Sequence, residues 1–278
     1  MAKPDDICPV PDKRPPMPTQ PLAPPIYLGS VYECDDTEQA RRMLLGELEG
    51  YVYQRDGHPN ADMLTTKCRL LHETQQAAVT ASGMAAMAAA LLSQVQTGDH
   101  VVLSNQLYGR SLELLTGEAQ RLGIGSTMVD TCDLAATDAV MTEATKLVVV
   151  ETITNPLLRV PDVSAISELA SRHGAKLLVD NTFASAVVFQ PHRFGADLIL
   201  ESLSKITSGH SDVMLGLLCA DDTEWDRVPD VLSKWGLTSS PMDCWLARRG
   251  LATLHLRVAR ACENAIHAAE MLARHAKV

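Results

Sequence analysis

Lys205 is a candidate catalytic residue because it follows a short apolar run and lies close to two hydroxyls, Ser202 and Ser204. A carboxylate, Asp180, directly follows another apolar run. Polar groups placed just after buried strands project from the C-terminal edge of a parallel sheet, where α/β proteins keep their ligands. A lysine amine forms a Schiff base with pyridoxal 5′-phosphate (PLP), hydroxyls hold its phosphate, and an acid pairs with its pyridinium nitrogen. From spacing alone, a surface lysine at a strand end is an equal alternative.

The residue string around this lysine carries more information than the spacing. It contains DNTFAS at 180–185, GADLILESLSK at 195–205 and SGHSD at 208–212. These stretches closely resemble the cofactor-lysine segment of the Cys/Met-metabolism PLP enzymes, which include cystathionine γ-synthase, cystathionine γ- and β-lyases, methionine γ-lyase and O-acylhomoserine sulfhydrylases. The resemblance implies an α/β fold, the fold type I large domain with a mostly parallel seven-stranded sheet. It also implies that PLP is bound through a Lys205 Schiff base.

Further site residues follow from the same resemblance. Ser82 is a good N-cap for an alanine-rich helix, and by itself this feature predicts only a packing helix. Within the family pattern, the amides of Gly83 and Met84 would form a phosphate cup with Ser82. Tyr108 would stack on the cofactor ring and help to move protons, and Asn155 would bind the phenolic oxygen. The resemblance makes Asp180 the partner of the ring nitrogen, with Ser202 and Ser204 near the phosphate.

A Gly- and Pro-containing loop carries Tyr53 and Arg55. On its own the pair would be called surface, but it resembles the family's Tyr-Ser-Arg-x-Gly-Asn-Pro-Thr signature. The resemblance implies that both reach across a dimer to the phosphate of the neighbour's cofactor, Tyr53 as a catalytic residue as well. A planar guanidinium suits phosphate oxygens. The expected partners are a small sulfur amino acid and further copies of the chain, in a homotetramer built from dimers that share active sites.

Strand and helix patterns alternate from residue 98 onwards, which predicts a βαβ-built parallel sheet. Helices are predicted from Ser82 to near Gly98, at 133–145 and at 162–173, and an amphipathic helix over Val258–Leu272. The predicted domains are an N-terminal arm and inter-subunit loop (1–60), a PLP-binding α/β domain (61–240) and a linker helix (241–278). Within the first, residues 1–26 are proline-rich and predict an arm on a neighbouring subunit.

Composition excludes several functional classes. The 278 residues carry a net charge of -10, which disfavours nucleic acid and anionic membranes as partners. Seven cysteines without close pairing, and no apolar signal segment, predict a cytoplasmic protein. Gly123-x-Gly125 lacks the third glycine of a dinucleotide motif, and His210 with Asp212 supplies only two possible ligands, so neither NAD nor a metal is predicted.

The expected activity is elimination or replacement at Cβ or Cγ of a sulfur amino acid, of the cystathionine synthase or lyase type. Arg110 stands where methionine γ-lyases typically place a cysteine, which counts against that activity. The family's C-terminal domain, which supplies the arginine for the substrate carboxylate, has no match here. The alternatives are therefore an O-acylhomoserine sulfhydrylase or methionine γ-lyase, a non-catalytic PLP-binding fragment, or an α/β domain without a cofactor.

Overall fold

The computed structural model describes residue 19 and residues 21–278. Most of the predicted arm, residues 1–26, lies outside the described residues. None of the helices within the described range is both long and apolar enough to cross a membrane. The six cysteines in this part of the chain are all free.

A seven-stranded sheet forms the centre of the molecule, as the sequence predicts. Its strands are β1 Gln76–Thr80, β2 His100–Ser104, β3 Gly125–Val129, β4 Thr145–Glu151, β5 Lys176–Asp180, β6 Leu198–Ser202 and β7 Gly216–Ala220. Their order across the sheet is β1-β7-β6-β5-β4-β2-β3. β7 runs antiparallel to both of its neighbours, and the remaining pairs are parallel.

Helices cover both faces of this sheet. They are α1 Thr37–Leu44, α2 Pro59–His72, α3 Gly83–Gln94, α4 Gly109–Glu113, α5 Ala119–Arg121, α6 Leu134–Ala139, α7 Val163–Arg172, α8 Ser185–Val188, α9 Asp222–Trp225, α10 Val228–Trp235, α11 Pro241–Leu251 and α12 Leu254–Ala273. A π-helical segment, Leu114–Glu118, joins α4 to α5, and a 3₁₀ turn, Pro191–Phe194, precedes β6.

Continuous apolar runs place the central strands in two cores, because successive side chains of a strand point to opposite faces. In β4, Val148 and Val150 pack with α2, α7 and α11. Leu147 and Val149 pack on the other face with α3 and α10. Buried on both sides, the strands hold the loops at their carboxyl ends in fixed positions.

Two predicted helices are longer than the observed ones. The helix predicted to end near Gly98 ends at Gln94, where Val95 turns extended (φ -129°). The helix predicted over 133–145 covers only α6, because the hydroxyl of Thr145 accepts a hydrogen bond from Thr142 N (2.9 Å) and forms a turn into β4.

The described end of the arm is tied to α11 and α2 of the same chain. Trp245 Nε1 donates to Pro24 O (2.8 Å), and Asn60 Nδ2 donates to Pro25 O (2.9 Å). At the other end of the chain, the predicted amphipathic helix is confirmed as α12. Beyond Val258 every residue of α12 is exposed, so its apolar residues there have no cover among the described residues.

Candidate active site

The carboxyl ends of three neighbouring strands bring polar side chains to one edge of the sheet. Glu151 ends β4, Asp180 ends β5 and Ser202 ends β6. The parallel register pairs Glu151 directly with Asp180. The short connections that follow these strands supply the rest of the site.

A cavity of about 170 Å³ opens at this edge. It is lined by Gly83, Met84, Tyr108, Ser111, Glu151, Ile153, Asn155, Asp180, Thr182, Phe183, Leu200, Ser202 and Lys205. Seven of the predicted site residues are therefore brought together, although they come from five separate stretches of the chain: Gly83, Met84, Tyr108, Asn155, Asp180, Ser202 and Lys205.

Lys205 lies on a turn that follows β6. Its backbone N donates to Ser202 O (3.2 Å), and its own carbonyl accepts from Gly209 N (2.9 Å). The side chain is exposed and forms no ion pair with the described residues. Its amine is thus available to a ligand in the cavity.

The N-terminus of α3 faces the same cavity. Ser82 is the N-cap, and its hydroxyl accepts from Ala85 N (3.1 Å), as the sequence predicts. A Cβ on Gly83 would lie 2.9 Å from Ser202 Cβ, so only glycine lets the helix end approach β6 this closely. The first N–H groups of this twelve-residue helix, at its positive end, can bind an anion such as phosphate.

The carboxylate of Asp180 is held by Thr182, two residues further along the chain. Thr182 N donates to Asp180 Oδ1 (2.9 Å), and the Thr182 hydroxyl accepts from Ser202 N (2.7 Å). Burial raises the pKa of Asp180 to about 6. A carboxylate with a raised pKa gains from a cationic partner, which a protonated pyridine nitrogen would supply.

Glu151 is a buried acid for which the sequence predicts no role. Its Oε1 accepts from Tyr108 N (2.6 Å) and its Oε2 accepts from Asn155 N (3.2 Å). Burial raises the pKa of Glu151 to about 7, helped by the charge of Asp180 and opposed by the two N–H donors. One carboxyl group therefore fixes two loops of the cavity. An acid ending a buried strand was the available signal.

Replacing Glu151 with glutamine should change how stability depends on pH. Because the folded protein retains a proton with a pKa near 7 that the unfolded chain releases near 4.5, the free energy of unfolding falls as pH rises between these values. The difference corresponds to about 3 kcal/mol. Between pH 5 and pH 8, the free energy of unfolding of Glu151→Gln should therefore rise relative to that of wild type by up to this amount. Urea unfolding of the cofactor-free protein measures the difference. The exposed Glu263→Gln is the control, and parallel wild-type and Glu151→Gln curves would contradict the assignment.

Four predicted site residues do not line this cavity: Ser82, which caps α3 beside it, Ser204, Tyr53 and Arg55. The Ser204 hydroxyl is engaged with the backbone of Leu215, accepting from its N at 3.0 Å. Tyr53 and Arg55 line a different and larger cavity, of about 750 Å³, with the guanidinium carbon 5.3 Å from the Tyr53 ring centre. Tyr53 is 43% exposed. Such a placement is compatible with the predicted contact to a second copy's site.

The residues present fit PLP. The cavity offers an amine on Lys205, the N-terminus of α3 and the buried acid Asp180, while Tyr108 and Phe183 supply aromatic surface. The close approach at Gly83 places the N-terminus of α3 directly beside Ser202, within reach of the same ligand.

Comparisons with known proteins agree with this site. The profile of the Cys/Met metabolism PLP-dependent enzymes matches residues 11–278. Cystathionine γ-synthase of Mycobacterium leprae is 40% identical over 256 residues, covering 91% of this chain and 64% of the relative. L-methionine γ-lyase of Porphyromonas gingivalis is 35% identical over 260 residues, covering 92% and 65%. The chain thus spans slightly less than two thirds of the length of these relatives.

Among solved structures, one similar protein is assigned as an O-acetylhomoserine (thiol)-lyase from Campylobacter jejuni. It superimposes with a TM-score of 0.87 at 27% identity, covering 91% of this chain and 71% of that chain. Its structure contains N′-pyridoxyl-lysine-5′-monophosphate. The fold predicted from sequence is confirmed.

Proposed function

This chain belongs to the Cys/Met metabolism PLP-dependent enzyme family, and on that basis we propose that it binds PLP through Lys205 and transforms a sulfur amino acid. The observation that carries the proposal is the single cavity that joins Lys205, Asp180 and the N-terminus of α3. Each supplies a group that PLP requires.

Each residue of the cavity has a distinct task in this proposal. The amides of Gly83 and Met84 would bind the phosphate, with the hydroxyl of Ser202 beside them. Asp180 would accept a hydrogen bond from the pyridine nitrogen, and Asn155 would bind the phenolic oxygen. Tyr108 would lie against the ring and shield it from water.

Bound PLP supplies an electron sink for negative charge that develops at the substrate Cα. Lys205 would hold the cofactor and, once the substrate amine has taken its place there, would be free to remove the Cα proton as a base. Lys205 or Tyr108 returns a proton to the substrate carbon or to the leaving group. The reaction is elimination or replacement at Cβ or Cγ.

The substrate class that we propose is that of the cystathionine synthases and lyases. Arg110 and the higher identity to cystathionine γ-synthase than to L-methionine γ-lyase both support this choice. The second candidate is transfer of sulfide to an O-acylhomoserine, which the similarity to the Campylobacter jejuni protein favours.

The proposal includes a shared site between two copies of the chain. Tyr53 and Arg55 lie outside the cavity of their own chain and are exposed, so they are available to a neighbour's phosphate. We propose a homotetramer built from such dimers. The cytoplasm remains the proposed location, in keeping with the free thiols.

A substrate panel tests the function. The PLP-loaded chain is offered cystathionine, O-succinylhomoserine with cysteine, O-acetylhomoserine with sulfide, and methionine. We expect turnover of cystathionine or its formation from cysteine to exceed methionine cleavage by about tenfold or more, which corresponds to about 1.4 kcal/mol in the barrier. Preferred use of sulfide would favour the second candidate. A bleachable visible band with no turnover of any substrate would mean a PLP-binding chain without catalysis.

A further inference from the structure

The turn that carries Lys205 has little internal support. Between the end of β6 and Gly209 it is closed by few backbone hydrogen bonds, among them Ser208 N to Leu203 O (3.0 Å) and Gly209 N to Lys205 O (2.9 Å). A single turn of this length is not stable by itself. Its conformation must therefore be fixed by neighbouring elements.

Arg257 of α12 provides such a contact. Its Nη1 donates to Ile206 O and its Nη2 donates to Thr207 O (3.1 Å), the two residues that follow Lys205. The same guanidinium donates to Gly250 O (2.9 Å) in α11, and its Nε donates to the Thr253 hydroxyl (3.2 Å). One side chain thus joins the lysine turn to two helices.

The chemistry of these contacts is unusual for a surface arginine. All of its partners are neutral oxygens, and none of the acidic side chains described in the structure forms an ion pair with it. Burial lowers the pKa of Arg257. The guanidinium of Arg257 is partly removed from water but has no carboxylate partner among the described residues. Its planar fork instead binds several carbonyls at once, so its contribution here is geometric rather than an ion pair.

Two glycines let the lysine turn approach the guanidinium and α11 closely. A Cβ on Gly209, which has φ +73°, would lie 2.1 Å from Arg257 Nη1. A Cβ on Gly250 would lie 2.3 Å from Ser208 O. Both glycines allow the lysine turn to lie directly against α11 and the arginine.

We propose that Arg257 is a positioning residue for Lys205: by binding the carbonyls of Ile206 and Thr207, it sets where the lysine amine stands in the cavity. The inference rests on the proposed function, because it concerns the attachment of PLP to that amine. Arg257 does not line the cavity, so its effect on the lysine amine passes through the turn.

Two ligands separate this role from a general structural one. PLP carries the aldehyde that Lys205 attacks, whereas pyridoxine 5′-phosphate lacks it and reports only the ring and phosphate contacts. Wild type, Arg257→Lys and Arg257→Ala are compared, with Arg260→Ala as the control. Arg260 lies three residues further along α12 and makes only an exposed ion pair with Glu263 (3.1 Å).

In both Arg257 variants we expect the covalent linkage of PLP, monitored by its visible band, to form at least about tenfold more slowly than in wild type. The affinity for pyridoxine 5′-phosphate should stay within about threefold of wild type. Arg257→Lys keeps the charge but not the fork and should not restore the rate. Equal losses for both ligands, or no loss for either, would overturn the positioning role. Wild type that links no PLP would instead refute the proposed function, and the inference with it.

Discussion

Replacing Lys205 with alanine should abolish covalent attachment of PLP. Lys205 supplies the amine that lines the cavity, and the residue lies on a turn whose other side chains are partly or fully buried. Neutral alanine cannot form the bond, so the visible band that borohydride bleaches should be absent and turnover should fall below detection. The loss of a covalent nucleophile typically costs several orders of magnitude in rate.

The matched control is Lys234→Ala, which removes a surface lysine that forms an ion pair with Asp230. This variant should keep the full band. Peptide mapping after reduction should place the pyridoxyl group of wild type on the peptide that contains Lys205. A pyridoxyl group on any other lysine, or a bleachable band in Lys205→Ala, would contradict the assignment.

The sequence predicts the sheet well because its strands are fully buried. Continuous apolar runs such as those ending at Glu151 and Asp180 leave little choice of conformation, and the alternation with helices sets the parallel topology. The cap at Ser82 is likewise a local signal, carried by one hydroxyl and the N–H three residues later. Local rules suffice for such features.

Helix ends and the π-helical segment show where local rules fail. Asp99 accepts from Gln96 N (2.8 Å), which forms a turn beyond α3 although the residues before it favour a helix. Nothing in the composition of Leu114–Glu118 marks a widened turn. The position of a helix end and the widened turn depend on contacts with other parts of the chain, which the periodicity of apolar residues does not show.

The missed residues of the site have a common cause. Glu151 acquires its role from the register that pairs it with Asp180 and from two loops that return to it. Arg257 acquires its role from a turn about fifty residues earlier in the chain. Such contacts join distant segments, so no window of sequence contains both partners.

A second long-range contact, between Glu201 and His72, should contribute strongly to the free energy of unfolding. His72 Nε2 lies 3.2 Å from Glu201 Oε1, and these residues are 1% and 2% exposed. Glu201 also accepts from Asn181 Nδ2 (3.2 Å) and from the Thr207 hydroxyl (3.1 Å). One carboxylate therefore joins α2, the end of β5 and the turn of Lys205.

Replacing Glu201 alone should lower the free energy of unfolding more than replacing both Glu201 and His72. Glu201→Ala leaves buried polar groups without a partner, so the free energy of unfolding should fall by about 3–5 kcal/mol. A protein of ordinary stability has only about 5–15 kcal/mol in total. Urea unfolding at constant pH measures the loss. The exposed Glu263→Ala, which breaks a surface ion pair, should cost less than about 1 kcal/mol.

A double substitution distinguishes the pair from its surroundings. In His72→Phe with Glu201→Met, apolar side chains of similar size replace both partners, so no imidazole or carboxylate remains buried and unpaired. The double variant should be more stable than Glu201→Ala by about 1 kcal/mol or more, with Asn181 and Thr207 accounting for what is not recovered. If it is as unstable as Glu201→Ala, the cost arises from the lost contacts of Glu201 with Asn181 and Thr207. The Glu201 carboxylate would then stabilise mainly the end of β5 and the lysine turn, and its contact with the His72 imidazole would contribute little to the free energy of unfolding.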